Sequence, residues 1–202
     1  MTRRAKKPKR VAPTDGFPML SLGRTTCGNI DLSHRHEWLV TNGIGGYASG
    51  TVADLNTRRY HGVLVAALRP PVGRTVLVSK LDAAVTYRRE IYPLFCNEFG
   101  DGTIDPRGYR HIETFELEGL IPVWRYAFSD ALLEVRLWMF QGRNTTYVTY
   151  AHMRGDAPME LSISPLCTYR DFHNHSHGGW ELGTRSISGG VEMNAFDGAQ
   201  SY

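Results

Sequence analysis

The strongest constraint on this chain is an alternation of apolar and polar residues, with a period of two, repeated in short runs. Met159-Glu-Leu-Ser-Ile-Ser164 alternates, as does Thr114-Phe-Glu-Leu-Glu118. Leu133-Glu-Val-Arg-Leu137 does the same and leads into Trp138 and Phe140 on the opposite face. Successive side chains of a strand point to opposite faces, so these runs predict strands buried on one side. Thr145–Met153 is rich in Thr, Tyr and Val, which suit a pleated surface. Arg59–Ala67 and Arg74–Val78 read as more fully buried strands. Between the runs lie turn signals: Asp15-Gly16, Asn42-Gly43, Asp101-Gly102, Ser129-Asp130, Gly155-Asp-Ala-Pro158 and Gly189-Gly190. This spacing predicts a mostly-β chain folded as an antiparallel β-sandwich, with no amphipathic helix longer than about three turns.

A length of 202 residues suits one such domain, large enough to bury a core without disulfides. The formal charge of +3 comes from the first ten positions, where six of the 23 basic residues lie. The other 17 face 20 acidic residues, so the body is mildly acidic and unsuited to a nucleic-acid surface. Residues 1–14 read as a disordered basic tail, and 15–202 as the folded domain. The tail lacks the apolar run of a signal peptide, and no stretch approaches the ~18 apolar residues of a membrane span. Cys27, Cys96 and Cys167 are odd in number and far apart. They suit buried free thiols in a reducing cytoplasm, not a disulfide frame or a zinc site.

One stretch departs from the strand pattern. Glu37–Thr51 running into Asn56–Gly62 packs five glycines, two tyrosines, a tryptophan, two adjacent arginines and a histidine into 26 residues. Glycine permits sharp turns and close approach of backbone. Arginine, asparagine, histidine and aromatic rings hydrogen-bond to and stack on a polar ring such as a sugar. The segment therefore reads as a shaped, aromatic-lined polar surface, with Asn42, Tyr47, Asn56, Arg58, Arg59, Tyr60 and His61 as candidate contacts. On a strand, Arg58 and Tyr60 would share one face, and Arg59 and His61 the other. The competing reading pairs one arginine with a carboxylate and packs Tyr60 in the core.

Gly43-Ile-Gly-Gly-Tyr-Ala48 has the form G-x-G-x-x-A of a dinucleotide fingerprint. That motif needs a following helix and an acidic residue about 20 positions on, and neither is present. His173, His175 and His177 would share a face on a strand and could hold zinc. Their Asn, Ser and Gly neighbours read as loop, so no metal is expected. Arg154-Gly-Asp156 is a chance likeness to an adhesion tripeptide.

Glu37-Trp-Leu-Val-Thr-Asn-Gly43, Gly45-Gly-Tyr-Ala-Ser-Gly50 and Asn56-Thr-Arg-Arg-Tyr-His-Gly-Val-Leu-Val65 together resemble the N-terminal domain of prokaryotic-type glycogen debranching enzymes, of the amylo-α-1,6-glucosidase family. Pro71–Leu81 and Leu166–His173 are similar to later blocks of that domain. The resemblance runs from about Gly28 to the last residues. It implies a super-sandwich like the N-terminal domain of glucoamylase-type enzymes, followed by a helical (α/α)6 barrel holding the glucosidase site. It also implies α-glucan contacts through residues 42–61 and through Arg170, Asp171 and the residues up to His173. Twelve helices at ~11 residues each, with connections, need about 250 residues. The barrel is thus expected outside this sequence, which ends at Gly198–Tyr202 without a closing strand pattern and reads as truncated. Glycoside hydrolysis needs two carboxyl groups flanking the bond. Glu37, Asp54 and Asp171 carry no motif for that role, so no catalytic residue and no cofactor is assigned, and the chain alone is expected to be inactive. The intact enzyme would hydrolyse α-1,6 branches of glycogen. A stand-alone carbohydrate-binding protein and a purely structural interaction domain are the alternatives.

Overall fold

A computed structural model describes residues 20–176 and 181–202. The basic tail, the Asp15-Gly16 turn and His177 lie outside the described residues. The order of elements is β1 (Leu20–Gly23), two single-turn helices α1 (Arg24–Cys27) and α2 (Ile30–Ser33), then β2 (Glu37–Thr41), β3 (Tyr47–Thr51), β4 (Gly62–Arg69), β5 (Val72–Tyr87), β6 (Glu90–Pro93), β7 (Asn97–Glu98) and β8 (Ile104–Asp105). A 3-10 turn at Gly108–His111 leads to β9 (Ile112–Glu118), β10 (Ile121–Phe128), β11 (Ala131–Met139), β12 (Thr146–Arg154), β13 (Met159–Asp171), β14 (Gly183–Ile187) and β15 (Gly190–Asn194). Strands make up 57% of the chain and helices 7%, which excludes the strand–helix alternation of a nucleotide fold.

Two antiparallel sheets form the sandwich. One has the order β1-β9-β10-β11-β12, and the other β13-β5-β4-β3-β2 with β6 also beside β5. The 16-residue β5 is the spine of the second sheet. β13 runs along one edge of it, while β4 and β6 share the other. Pairing of β13 with β5 shifts register at Leu166/Cys167 and again before Arg170. Such bulges bend a strand and re-aim its end. The expected turns appear where left-handed backbone is required: Gly43, Gly102, Ser129, Gly155 and Gly189 all have positive φ.

The period-two pattern maps onto the two faces. On β11, Leu133, Val135, Leu137 and Met139 face the core. Glu134 and Arg136 face outward, where Arg136 grips Glu134 at 2.7 Å and Glu118 at 2.7 Å across the strands. The core centres on Trp38 and Trp124, stacked edge to face with centroids 5.4 Å apart. Their indole N–H groups donate to the Thr51 and Val52 carbonyls, so neither ring leaves a buried donor unpaired.

Two expectations are corrected. The strand expected from Arg59 begins at Gly62, and Arg58–Tyr60 form a turn closed by the His61 N–H donating to the Arg58 carbonyl at 3.0 Å. The rule of alternate faces therefore does not govern Arg58 to His61. The three cysteines are free as expected, but only Cys27 and Cys96 are fully buried, while Cys167 is half-buried.

Candidate ligand-binding groove

The local geometry begins with Asn42 at the end of β2. Its amide oxygen accepts from the Ile44 and Gly46 backbone N–H groups at 3.1 and 2.9 Å. Its amide nitrogen donates to the Arg143 carbonyl and the Asn144 side chain. With all this capacity used and no exposed surface, Asn42 shapes the loop from beneath and cannot meet a ligand. The loop it folds passes over the end of the β4–β5 hairpin. At Gly45, φ is +101° and an added Cβ would overlap the Pro71 carbonyl. Arg74 of β5 ties the same loop down, its Nε donating to the Gly45 carbonyl at 2.7 Å.

Above this loop opens a surface groove of about 530 Å3. β2 supplies Leu39 and Thr41, the glycine loop its floor, β3 Tyr47, the Arg58–Tyr60 turn Tyr60, and β5 Arg74. Leu39 is 58% exposed, an apolar side chain at an outward position between Glu37 and Thr41. Tyr47 and Tyr60 are half-buried, and the Tyr47 hydroxyl donates to the Tyr60 carbonyl at 2.8 Å. Burial raises the Tyr47 pKa, so the phenol stays protonated and a donor at neutral pH.

A clasp from the far end of β13 holds Tyr60 in place. Asp171 accepts from the His173 backbone N–H at 2.9 Å, turning the chain after the strand. Phe172 then packs edge-on to Tyr60 at 5.6 Å and beneath the Arg74 guanidinium at 5.5 Å. The Tyr60 hydroxyl lies 3.3 Å from His173 Nδ1. Arg59 donates to the His173 carbonyl and Arg170 to the Arg59 carbonyl, each at 2.8 Å. Arg170 also donates to the Asn174 carbonyl at 2.6 Å.

The other candidates face elsewhere. Arg58 donates to Glu37 at 2.5 Å, as in the reading that pairs an arginine with a carboxylate. His61 is 3% exposed, and its Nδ1 accepts from the Thr57 N–H at 3.2 Å. That bond puts its proton on Nε2, which points at Glu37 from 3.5 Å. Burial lowers the His61 pKa, against the opposing pull of Glu37 and with a smaller push from Arg58, which favours the neutral imidazole. Asn56 donates to the Ser79 carbonyl. Of the nine sequence candidates, Tyr47 and Tyr60 line the groove, and Arg59, Arg170 and Asp171 build the clasp beside it. Asn42 lies under the groove, and Asn56, Arg58 and His61 hold the neighbouring turn.

Leu39 and Arg74 were missed. Leu39 was detectable as an apolar residue on the polar face of β2. Arg74 lies in the Pro71–Leu81 block, but nothing in its own spacing aims it at the glycine loop.

Aromatic rings, a guanidinium and exposed backbone beside a shallow groove can stack on and hydrogen-bond to a neutral polyhydroxyl ring. No carboxylate lines the groove among the described residues, so it lacks the acid pair of a glycosidase. Nor do the described residues contain a group of three His, Cys, Asp or Glu placed to hold a metal. The fold and groove thus define an antiparallel β-sandwich domain with an aromatic-lined surface groove that carries no carboxylate among the described residues. Residues 36–202 match the family of the glycogen debranching enzyme N-terminal domain, and the chain belongs to it. No curated protein and no solved structure matches the chain.

Proposed function

We propose that this chain is the non-catalytic N-terminal part of a glycogen debranching enzyme. In this reading it presents the Tyr47–Tyr60–Arg74 groove to α-glucan and packs on a helical catalytic domain of the same longer chain. That partner domain would hydrolyse the α-1,6 branch linkages. The observation carrying the reading is that the glycine-rich block within the family match forms the groove, and that the Leu166–His173 block of the same match clasps it. Packing on a partner is supported by the flank where β12 and β13, each the last strand of its sheet, face one another. There Ile163 is exposed in an apolar cleft of about 260 Å3 that Val63, Leu64, Val148 and Pro165 also line, and Leu161 is exposed on the same strand. Three free thiols favour a reducing cytoplasm.

Titration of the 202-residue chain with maltoheptaose, followed by amide and aromatic NMR shifts, tests the glucan contact. Saturable shifts at Tyr47 and Tyr60 that vanish in Tyr60→Ala are expected. Absence of any shift at high sugar concentration would leave a purely structural interaction domain, the reading the apolar flank then favours.

A further inference from the structure

Between the two sheets, away from the groove, lies a cavity of about 60 Å3 walled by Trp38, Trp124, Tyr126 and Tyr150. At roughly 10–15 Å3 of such space per water, it has room for about four to six heavy atoms. Its wall carries one ionisable acid, Asp54, on the loop after β3. Polar groups on three of the rings or their neighbours are already satisfied: both indoles donate to backbone carbonyls, and the Tyr126 hydroxyl donates to the Leu94 carbonyl at 3.1 Å. The Asp54 carboxylate and the Tyr150 hydroxyl make no side-chain hydrogen bond among the described residues. The Asp54 side chain, 32% open, forms part of this cavity's wall.

The charges nearby do not cancel. Lys80, buried on β5, donates to the Cys96 carbonyl and, at 2.8 Å, to Asn97 Oδ1. Asp82 is its nearer carboxylate at 3.3 Å, and Asp54 stands at 3.9 Å. One ammonium between two carboxylates leaves one negative charge when both are ionised, and Asp54 is the one facing the cavity. Aromatic faces around a carboxylate attract an organic cation, both through the ring quadrupoles and by direct charge pairing. Val63, Leu81, Val148 and Tyr150 line both this cavity and the apolar cleft on the β12–β13 flank, so movement of these side chains is the route of entry the proposal requires.

We propose that this cavity is a binding site for a small organic ammonium ion with a short apolar body, its cationic head held by Asp54 and Tyr150 and its carbon chain lying against the cavity-facing sides of Trp38 and Trp124. The site is independent of the glucan groove and of the reading given to it.

The test uses the 202-residue chain at pH 8.5, n-butylammonium as probe and 1-butanol as its neutral counterpart of equal size, followed by indole N–H shifts and tryptophan fluorescence. Butylammonium should bind saturably and at least about tenfold more tightly than butanol, the ratio for about 1.4 kcal/mol. Asp54→Asn should bring the two to similar affinity. Asparagine tolerates the positive φ of 55° at this position, so the variant is expected to fold. Tyr150→Phe should weaken butylammonium several-fold. Equal affinity for the alcohol, binding unchanged in Asp54→Asn, or a cavity that takes only water and shifts with neither probe would each overturn the proposal. The comparison of the two probes on the unmodified chain decides it even if a variant misfolds.

Discussion

Gly45 is the most constrained residue of the groove. Its φ lies in the left-handed half of the map, and a methyl group there would collide with backbone, which cannot swing aside as a side chain can. Gly45→Ala should therefore cost about 2–4 kcal/mol, the range of strained and overpacked sites. Thermal or urea unfolding would register the loss, and Gly102→Ala, at a turn with open space around it, should cost less. Asp54 makes a second prediction at this scale. Burial raises its carboxyl to about 7, Lys80 opposes this and Asp82 reinforces it. Cys96, Tyr126 and Tyr150 also surround it and remain protonated there, burial raising each of their pKa values. A folded pKa above the unfolded value of about 4 means that the native state binds the extra proton. The stabilisation is full below about pH 4 and is lost as pH rises through 7. Between pH 5 and 8 the native protein should lose stability with rising pH, and Asp54→Asn should flatten that slope in a series of unfolding curves.

At the scale of elements, the clasp couples two turns far apart in sequence. Arg59 and Arg170 each reach across to the other turn's backbone, so neither bond survives if the turns separate. Both side chains are partly solvated, so each single alanine should cost about 0.5–1.5 kcal/mol. The double variant should cost less than the sum, with a coupling of about 0.5–1 kcal/mol in a double-mutant cycle. Additive effects would mean that the turns are held independently. Strands were legible here where one face meets water, because burial then writes itself as alternation: β11 and the first half of β13 were read from Leu133–Leu137 and Met159–Ser164. β5 was read only at Arg74–Val78. Its Lys80 and Asp82 look solvent-facing in sequence, yet Lys80 is buried because Asp82 and Asn97 satisfy it. Pairing of that kind is tertiary and leaves no period. The Arg58–Tyr60 turn was misread for a related reason, since Arg-Arg-Tyr-His has the composition of a strand end and its turn depends on Glu37 and His173.

For the whole molecule, the β12–β13 flank leaves an apolar cleft open at the edge of the sandwich. Ile163 is 40% exposed in that cleft, on a strand whose outer edge carries no partner among the described residues. Unpaired edges with apolar side chains associate. Sedimentation of the 202-residue chain should show concentration-dependent self-association, and Ile163→Lys should move it toward monomer while leaving the melting temperature within about 2 °C, since surface changes usually cost under about 0.5 kcal/mol. The clasp also sets an order in time. Arg59 and the His173 carbonyl it reaches are 114 positions apart. At about 5–20 residues per second, a ribosome needs roughly 6–23 s to make the second after the first. Throughout that interval the glycine loop and Tyr60 exist without their fastening. The clasped shape of the groove is therefore among the last features the nascent domain acquires, in a chain whose sandwich is already synthesised through β13.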